Sequence, residues 1–150
     1  MIVSGSTSQA LAAELAAETG HDVAPVTFDR FPDGELMASV PYLEGETAVV
    51  VASTVSSDAH VELLQLQDAV REAGAETVTT VLPYMGYGRQ DEAFEPGQPV
   101  SARAVARALS TGTDRVVTVD PHETGVLDYF DVEATAVEAA GRLADPLPGD

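Results

Sequence analysis

Short apolar runs alternate with amphipathic runs along this chain, and the alternation predicts its secondary structure. Valine-rich runs such as residues 47–52 and 77–82 are typical of strands buried on both faces of a sheet. Apolar residues that recur every three or four positions predict helices, and in residues 59–73 we assign one apolar face to Val61, Leu64, Leu66, Ala69 and Ala73. The predicted strands are residues 1–3, 23–28, 36–40, 47–52, 77–82 and 116–119. The predicted helices are residues 8–19, 59–73, 100–109 and 135–144.

Repeated strand-helix-strand order predicts an α/β fold in three layers, with a parallel sheet covered by helices on both faces. The length of 150 residues favours one domain. We place that domain at residues 1–144 and interpret residues 145–150, which contain two prolines, as the start of a linker. No apolar run approaches the roughly 20 residues that cross a bilayer, so we expect a cytoplasmic protein without a membrane partner.

The balance of charge is strongly acidic. The chain has 25 acidic residues against seven basic residues, all of them arginine, for a formal net charge of −18. Such a surface repels nucleic acid and anionic membranes. Because the acids are spread along the chain, we favour the solvated surface of a halophilic protein over an acidic partner mimic. The melting temperature should then rise steeply in molar KCl, and a flat dependence would contradict this interpretation.

Several polar clusters directly follow predicted strands. They are residues 53–54, 83–91 and 120–123, and a further cluster at 31–35 lies between two strands. Ligands of open parallel sheets bind at the carboxyl ends of the strands, so we expect the first three clusters to meet at one edge. The cluster at 31–35 can serve a different face or a neighbouring subunit.

Phe31, Asp33 and Glu35 combine an aromatic ring with two hydrogen-bond acceptors. An adenine base can stack on such a ring and donate its exocyclic amine proton to a carboxylate. The alternative is a surface turn with a packed phenylalanine. The residue types alone leave both interpretations open.

Arg89 follows a glycine-rich turn and stands beside Gln90. A guanidinium group matches the geometry of phosphate oxygens, and glycine lets backbone amides approach an anion. The alternative is an ion pair with one of the many nearby acids. No Walker-type GxxxxGK[ST] sequence is present, and the chain has no lysine at all.

Asp120, His122 and Asp131 form a possible ligand set for a divalent cation. Carboxylates, an imidazole and water can hold Mg²⁺ bound to phosphates, although Mg²⁺ prefers oxygen ligands. The alternative for His122 is a structural role as a cap of the loop after the strand. The absence of cysteine excludes disulfides, zinc-thiolate sites and thiol nucleophiles.

Together, and in this order, the clusters resemble ribose-phosphate pyrophosphokinases, the PRPP synthetases. The resemblance extends from residue 1 to about residue 144. It rests on four motifs at family-like spacing: Arg30 to Glu35 (RFPDGE), Pro83 to Asp91 (PYMGYGRQD), Pro99 to Ala102 (PVSA), and Thr118 to Asp120 with His122, Phe130 and Asp131.

The resemblance implies a phosphoribosyltransferase-like domain and a known reaction. Enzymes of the family transfer the diphosphoryl group of ATP to ribose 5-phosphate, they need Mg²⁺, and their active site lies between two such domains. By resemblance, Phe31, Asp33 and Glu35 hold adenine, reaching into the site of the neighbouring subunit, and Gly34 between them is also an ATP-binding residue. Arg89 and Gln90 bind ATP, and the metal candidates are His122, Asp120 and Asp131.

The resemblance also implies what this chain lacks. The second domain of the family carries the catalytic lysine and arginine, so no catalytic residue is assigned here and the chain alone is expected to be inactive. A homo-oligomer is expected, a dimer for this half and a hexamer for the full-length protein. Two departures from the family pattern are Glu92, where a basic residue is usual, and Thr135, where an acid is frequent. The alternatives are a non-catalytic assembly or regulatory module of a PRPP synthetase complex, and an unrelated nucleotide-binding domain.

Overall fold

The computed structural model describes residues 1–143 of the chain. Within them, strands and helices alternate much as the sequence predicts. The strands are β1 (Ile2–Ser4), β2 (Thr27–Arg30), β3 (Leu36–Ser39), β4 (Thr47–Val51), β5 (Thr77–Leu82), β6 (Arg115–Val119) and β7 (Glu133–Val137). The helices are α1 (Gln9–Thr19), α2 (Ser57–Glu72) and α3 (Ser101–Ser110), with short 3₁₀ helices at Thr124–Tyr129 and Ala140–Leu143.

Five strands form the central sheet in the order β1-β4-β5-β6-β7, and every neighbouring pair is parallel. The remaining strands, β2 and β3, form a separate antiparallel hairpin. Because parallel strands share one direction, the loops that follow β4, β5 and β6 emerge at the same edge. This arrangement confirms the predicted α/β fold with a parallel sheet.

The core has one part on each face of the sheet. On one face, Val50 and Val78 pack with Leu63 and Leu66 of α2, and this larger part also receives α3 and the first 3₁₀ helix. On the opposite face, Ile2 and Val51 pack with the alanines of α1 in a smaller cluster. The three layers are therefore α1, the sheet, and α2 with α3, so the predicted three-layer arrangement is confirmed.

The predicted helix at residues 135–144 is wrong. Residues Glu133–Val137 form β7, in which Thr135 pairs with Val117 and Val137 pairs with Val119 of β6. Pairing with β6 overrides the helical propensity of this alanine-rich sequence, because local propensity is weak compared with tertiary contacts. Residue 144 and the predicted linker at 145–150 lie outside the described residues.

Two further predictions need correction. The apolar face assigned to α2 included Val61, which is 46% exposed, whereas Leu63 is fully buried. The strand predicted at 23–28 begins only at Thr27, and Val23 makes a single bridge to Ile2. No helix in the described part of the chain is long and apolar enough to span a membrane.

Candidate nucleotide and metal site

Three of the predicted site residues line one cavity at the carboxyl edge of the sheet. Arg89 from the loop after β5 and Asp120 and His122 from the loop after β6 surround a cavity of about 130 Å³. The cavity is completed by Tyr84, Met85 and Val119. Arg89 and His122 therefore face the same cleft, as the parallel topology predicts.

The loop after β5 is held by the loop after β4. The Thr54 backbone amide donates to the Tyr84 carbonyl at 2.9 Å, and the Gly86 amide donates to the Thr54 hydroxyl at 2.9 Å. A Cβ atom at Gly86 would lie 2.2 Å from the Thr54 carbonyl oxygen and 2.9 Å from the His60 ring. Only glycine permits this approach, which fixes the path of the chain toward Arg89.

Tyr87 adopts the left-handed backbone conformation, with φ of 61°. This conformation is unfavourable for a side chain of its size, so neighbouring contacts must stabilise it. Its hydroxyl lies 3.0 Å from the Ser57 hydroxyl, and its ring meets the edge of His60 at 5.3 Å between centroids. The turn that precedes Arg89 is thus anchored to the start of α2.

Asp120, directly after β6, adopts the same left-handed region, with φ of 41°. Its backbone amide donates to the Val137 carbonyl at 3.0 Å, and both carboxylate oxygens accept from the Ala139 amide at 3.2 Å. Aspartate tolerates this conformation better than most residues. The turn directs the chain back over the sheet edge and brings His122 to the cavity.

Arg89 is exposed and makes no ion pair with any described residue. The His122 side chain is also exposed and has no hydrogen-bond partner among the described residues. The cavity therefore contains the guanidinium of Arg89, the imidazole of His122 and the carboxylate of Asp120, and these three groups do not pair with one another. Such a set can receive an anion that carries a divalent cation.

Gln90 is not part of the cavity lining. Its side-chain oxygen accepts from the Ser101 hydroxyl at 2.8 Å, and its carbonyl accepts from the Ala102 amide at 3.1 Å. These bonds satisfy backbone and side-chain groups at the start of α3. The structure gives Gln90 a capping role, and the predicted contact with ATP stays a prediction.

Asp131 does not join Asp120 and His122. It precedes β7, and its backbone amide donates to the Ser110 hydroxyl at the end of α3, 3.0 Å away. Since α3 leads into the start of β6, Asp131 lies at the amino edge, four residue rises or about 13 Å from the carboxyl edge. Within residues 1–143, no group of three or more His, Asp or Glu side chains is placed to hold a metal ion.

The hairpin tip at residues 31–35 is closed by its own hydrogen bonds, and none of its residues lines the cavity. The Phe31 amide donates to the Glu35 carbonyl at 2.8 Å, the Glu35 amide donates to an Asp33 carboxylate oxygen at 3.1 Å, and Gly34 has φ of 95°. The Phe31 ring is 48% exposed. The structure brings these four residues together with one another, but not with Arg89 or His122.

Arg30, which precedes the tip, is a bracing residue. Its guanidinium donates to the Gly34 carbonyl and to the Asp58 carboxylate, the latter at 2.9 Å. The hairpin is thereby held against the start of α2.

Residues not proposed as site residues from the sequence include Tyr84, a half-exposed cavity residue, and Thr54, a buried scaffold residue. Both residues follow soon after a strand, and this position in the sequence is the signal that could have identified them.

Comparison with known proteins identifies the family to which the chain is similar. The family model described as the N-terminal domain of ribose phosphate pyrophosphokinase matches residues 1–112. A ribose-phosphate pyrophosphokinase of Halobacterium salinarum is 67% identical over all of this chain and 54% of its own length. One from Methanopyrus kandleri is 48% identical over 98% of this chain and 51% of its own length.

A solved structure is similar as well. The crystal structure of phosphoribosylpyrophosphate synthetase from Mycobacterium smegmatis superposes with a TM-score of 0.82 at 27% identity, covering 97% of this chain and 52% of that one. The chain spans about half the length of these relatives. The chain belongs to the ribose-phosphate pyrophosphokinase family, and the part that it matches is the N-terminal domain.

Proposed function

We propose that this chain supplies the nucleotide-binding half of a ribose-phosphate diphosphokinase, which transfers the diphosphoryl group of ATP to ribose 5-phosphate. The observation that carries the proposal is the shared cavity of Arg89, Asp120 and His122. Family membership supplies the reaction class, and the unpaired charge at the sheet edge suits a polyphosphate. The chain alone holds the triphosphate and completes the reaction only with the remaining half of the protein.

In this proposal Arg89 binds phosphate oxygens. Its guanidinium is exposed and unengaged within the described residues, and the turn before it is fixed by Gly86 and Tyr87. A fixed fork of N–H donors loses little freedom on binding and neutralises charge on the diphosphoryl group. Glu92, three residues later, is exposed and absent from the cavity lining, so it does not oppose the anion directly.

The residues present suit Mg²⁺ that arrives with ATP. Mg²⁺ is typically held by one or two protein ligands with phosphates and water, and the cavity offers the Asp120 carboxylate and the His122 imidazole. When bound, Mg²⁺ supplies charge neutralisation of the phosphates. Asp120, whose carboxylate accepts from the Ala139 amide, and His122 would be the protein ligands of this cation.

The hairpin tip is proposed to hold adenine in the site of a neighbouring copy of the chain. The tip shares no lining residue with the cavity of Arg89, and Phe31 projects an exposed ring from a closed turn. A mixing experiment tests this arrangement. Copies with Phe31→Ala and copies with Arg89→Ala each lose affinity, whereas each heterodimer regains one intact site of its two. A 1:1 mixture with random exchange should therefore recover binding at about a quarter of all sites. No recovery in demonstrated heterodimers contradicts the shared site.

The proposed function is tested by titration calorimetry with MgATP in molar KCl. Arg89→Ala should weaken binding about 10- to 100-fold, because a charged hydrogen-bonding partner of phosphate contributes about 1.5–3 kcal/mol. The matched control is Arg107→Ala, an exposed arginine of α3 that makes no ion pair with described residues. Its affinity should equal that of the parent chain.

Equal affinity of the Arg89→Ala variant and the parent chain would remove the proposed phosphate site. An assay of AMP release adds a second criterion. The 150-residue chain should release no AMP from ATP and ribose 5-phosphate, since it spans only about half the length of its relatives. Turnover by this chain alone would contradict the proposed division of the active site.

A further inference from the structure

The segment that follows the Arg89 turn is exposed and makes only local hydrogen bonds. Residues 92–98 are all exposed, and the hydrogen bonds found there join Gln98 to Glu95. The last long-range polar contact before this segment, within the described part of the chain, is made by Asp91. Its backbone carbonyl accepts from the Tyr129 hydroxyl at 2.6 Å. Arg89 thus lies two residues before an exposed segment, and this hydrogen bond separates the two.

Tyr129 is well placed to hold that carbonyl. It is the last residue of the first 3₁₀ helix, which begins two residues after His122 and contains the buried Val126. The Tyr129 ring is partly buried against the larger part of the core. The guanidinium carbon of Arg103 lies 5.9 Å from the ring centroid, a distance typical of a cation-π contact. Core packing on one side and Arg103 on the other therefore hold the ring with its hydroxyl directed at Asp91.

The Tyr129 hydroxyl joins the two sides of the cavity. Asp91 belongs to the loop after β5, which carries Arg89, and Tyr129 belongs to the connection after β6, which carries His122. These two connections also approach each other at Gly88, where an added Cβ would lie 4.0 Å from the His122 Cβ. That approach is an ordinary van der Waals contact. Among residues 1–143, the bond from Tyr129 to Asp91 is the only hydrogen bond found between the two connections.

We propose that Tyr129 is a positioning residue of the nucleotide and metal site. Its hydroxyl fixes the loop of Arg89 relative to the loop of His122, so that a guanidinium and an imidazole reach the same polyphosphate. Two groups that bind one ligand give full affinity only when their separation is set before the ligand arrives. This inference deepens the proposed function and rests on it, because the position of Arg89 matters only if Arg89 binds phosphate.

Tyr129→Phe tests the inference because it removes the hydroxyl and keeps the ring under Arg103. Calorimetry in molar KCl should show MgATP affinity about fivefold weaker, the effect of losing about one net hydrogen bond. The matched control is Tyr42→Phe, which also removes a single hydroxyl. Tyr42 is 53% exposed, donates to Glu44 and does not line the cavity, so the affinity of this control should equal that of the parent chain.

A double-mutant cycle distinguishes positioning from general support of the fold. The hydrogen bond from Tyr129 holds the side of the cavity that carries Arg89. Tyr129→Phe should therefore change the affinity of the Arg89→Ala chain by less than about twofold, although it weakens the parent chain about fivefold. A residue that only stabilises the fold would weaken binding by the same factor in both chains.

Amide hydrogen exchange tests the inference without any nucleotide. The Gln90 amide donates to the Tyr87 carbonyl at 3.2 Å and lies next to Arg89, whereas the Gly5 amide donates to the Val51 carbonyl at 2.8 Å at the far end of the sheet. In the Tyr129→Phe chain, motion of the exposed segment should reach the Arg89 turn. Exchange at Gln90 should then be about fivefold faster, and exchange at Gly5 should keep its rate.

Three results would overturn the positioning role of Tyr129. They are parent-like MgATP affinity of Tyr129→Phe, an equal loss of affinity with and without Arg89, and exchange that is unchanged at Gln90 or equally faster at Gln90 and Gly5. Each of them leaves the proposed function intact provided that Arg89→Ala alone weakens binding. Parent-like affinity of the Arg89→Ala chain would instead remove the proposed phosphate site and, with it, the role of Tyr129.

Discussion

The two edges of the central sheet use their charged residues differently. At the amino edge, Arg71 pairs with Asp114 at 2.7 Å and Arg115 pairs with Glu133 at 2.8 Å. At the carboxyl edge, Arg89 makes no ion pair with any residue that the structure describes. The amino edge thus uses its arginines within the fold, whereas the carboxyl edge leaves a cation available to a ligand.

The backbone shows a similar difference. The non-glycine residues with positive φ in the described chain, Tyr87 and Asp120, both lie at the carboxyl edge. Strained conformations persist only where surrounding contacts determine them, and they concentrate at binding sites. The comparison teaches that charge alone does not locate a site in so acidic a chain. The informative signals are unpaired charge and backbone strain in the same place.

The largest expected effect comes from Gly86→Ala, which displaces the backbone at the carboxyl edge. The added Cβ meets the Thr54 carbonyl oxygen at 2.2 Å, so the loops after β4 and β5 must separate. We expect a loss of about 3 kcal/mol in unfolding free energy and loss of MgATP binding. The control, Gly125→Ala, has no atom within 4 Å of the added group and should be neutral.

Chemical denaturation and calorimetry measure the two effects in parallel. A Gly86→Ala variant as stable as the parent chain would show that the carboxyl edge tolerates separation of its loops. The account of how Arg89 is positioned would then be wrong.

The next effect tests which of the two edges binds the metal ion. His122→Ala should raise the Mg²⁺ concentration needed for half-maximal ATP binding about tenfold, which corresponds to roughly 1.4 kcal/mol. Asp131→Asn should leave it unchanged, because that residue lies at the amino edge. Titration with Mg²⁺ at fixed ATP measures both. A larger effect from Asp131→Asn than from His122→Ala would reverse the assignment.

The smallest effect concerns Asp114, whose carboxylate accepts from the Val78 amide and from Arg71, both at 2.7 Å. The Val78 bond and then the arginine lower the pKa of this carboxyl despite some desolvation. A lowered folded-state pKa stabilises the fold above the ordinary carboxyl pKa of about 3.9, and that contribution disappears as the pH falls through the folded pKa.

Asp114→Asn should therefore lower the free energy of unfolding by about 1 kcal/mol at pH 7 and by much less below about pH 3. The effect is small because the carboxylate is half exposed. Asp68→Asn on the exposed side of α2 is the control for the change in net charge. Denaturation at both pH values measures the difference between the variants. A pH-independent difference would show that the carboxylate charge is not what stabilises the amino edge.

The sequence predicted the strands and helices whose apolar pattern agrees with their local environment. Residues 77–82 are a strand as predicted, because the β-branched run lies in the middle of the sheet and buries alternate residues, Val78, Thr80 and Leu82, on one face. The segment at Glu133–Val137 could not be assigned in this way. Its alanines are compatible with a helix, and only pairing with β6, an interaction distant in sequence, makes it a strand.

Of the proposed site residues, those that directly follow strands were brought together. Arg89, Asp120 and His122 share a cavity because parallel strands end at one edge. Asp131 was grouped with them by sequence proximity, but the crossover between β6 and β7 returns the chain to the opposite edge. Gln90 was grouped with Arg89, yet its side chain is committed to Ser101. Hydrogen bonds of this kind depend on where partner side chains lie in three dimensions, and the sequence pattern does not give those positions.

The most direct test of the central claim uses the three histidines of the chain as internal probes. MnATP relaxes nearby nuclei, so the imidazole resonances of His21, His60 and His122 report their proximity to the bound metal-nucleotide complex. Assignment follows from single substitutions of each histidine. The account predicts that substoichiometric MnATP broadens the His122 resonances first and most strongly, and that Arg89→Ala abolishes this selectivity. Equal broadening of all three, or preferential broadening of His21, would contradict a metal-nucleotide site at the carboxyl edge.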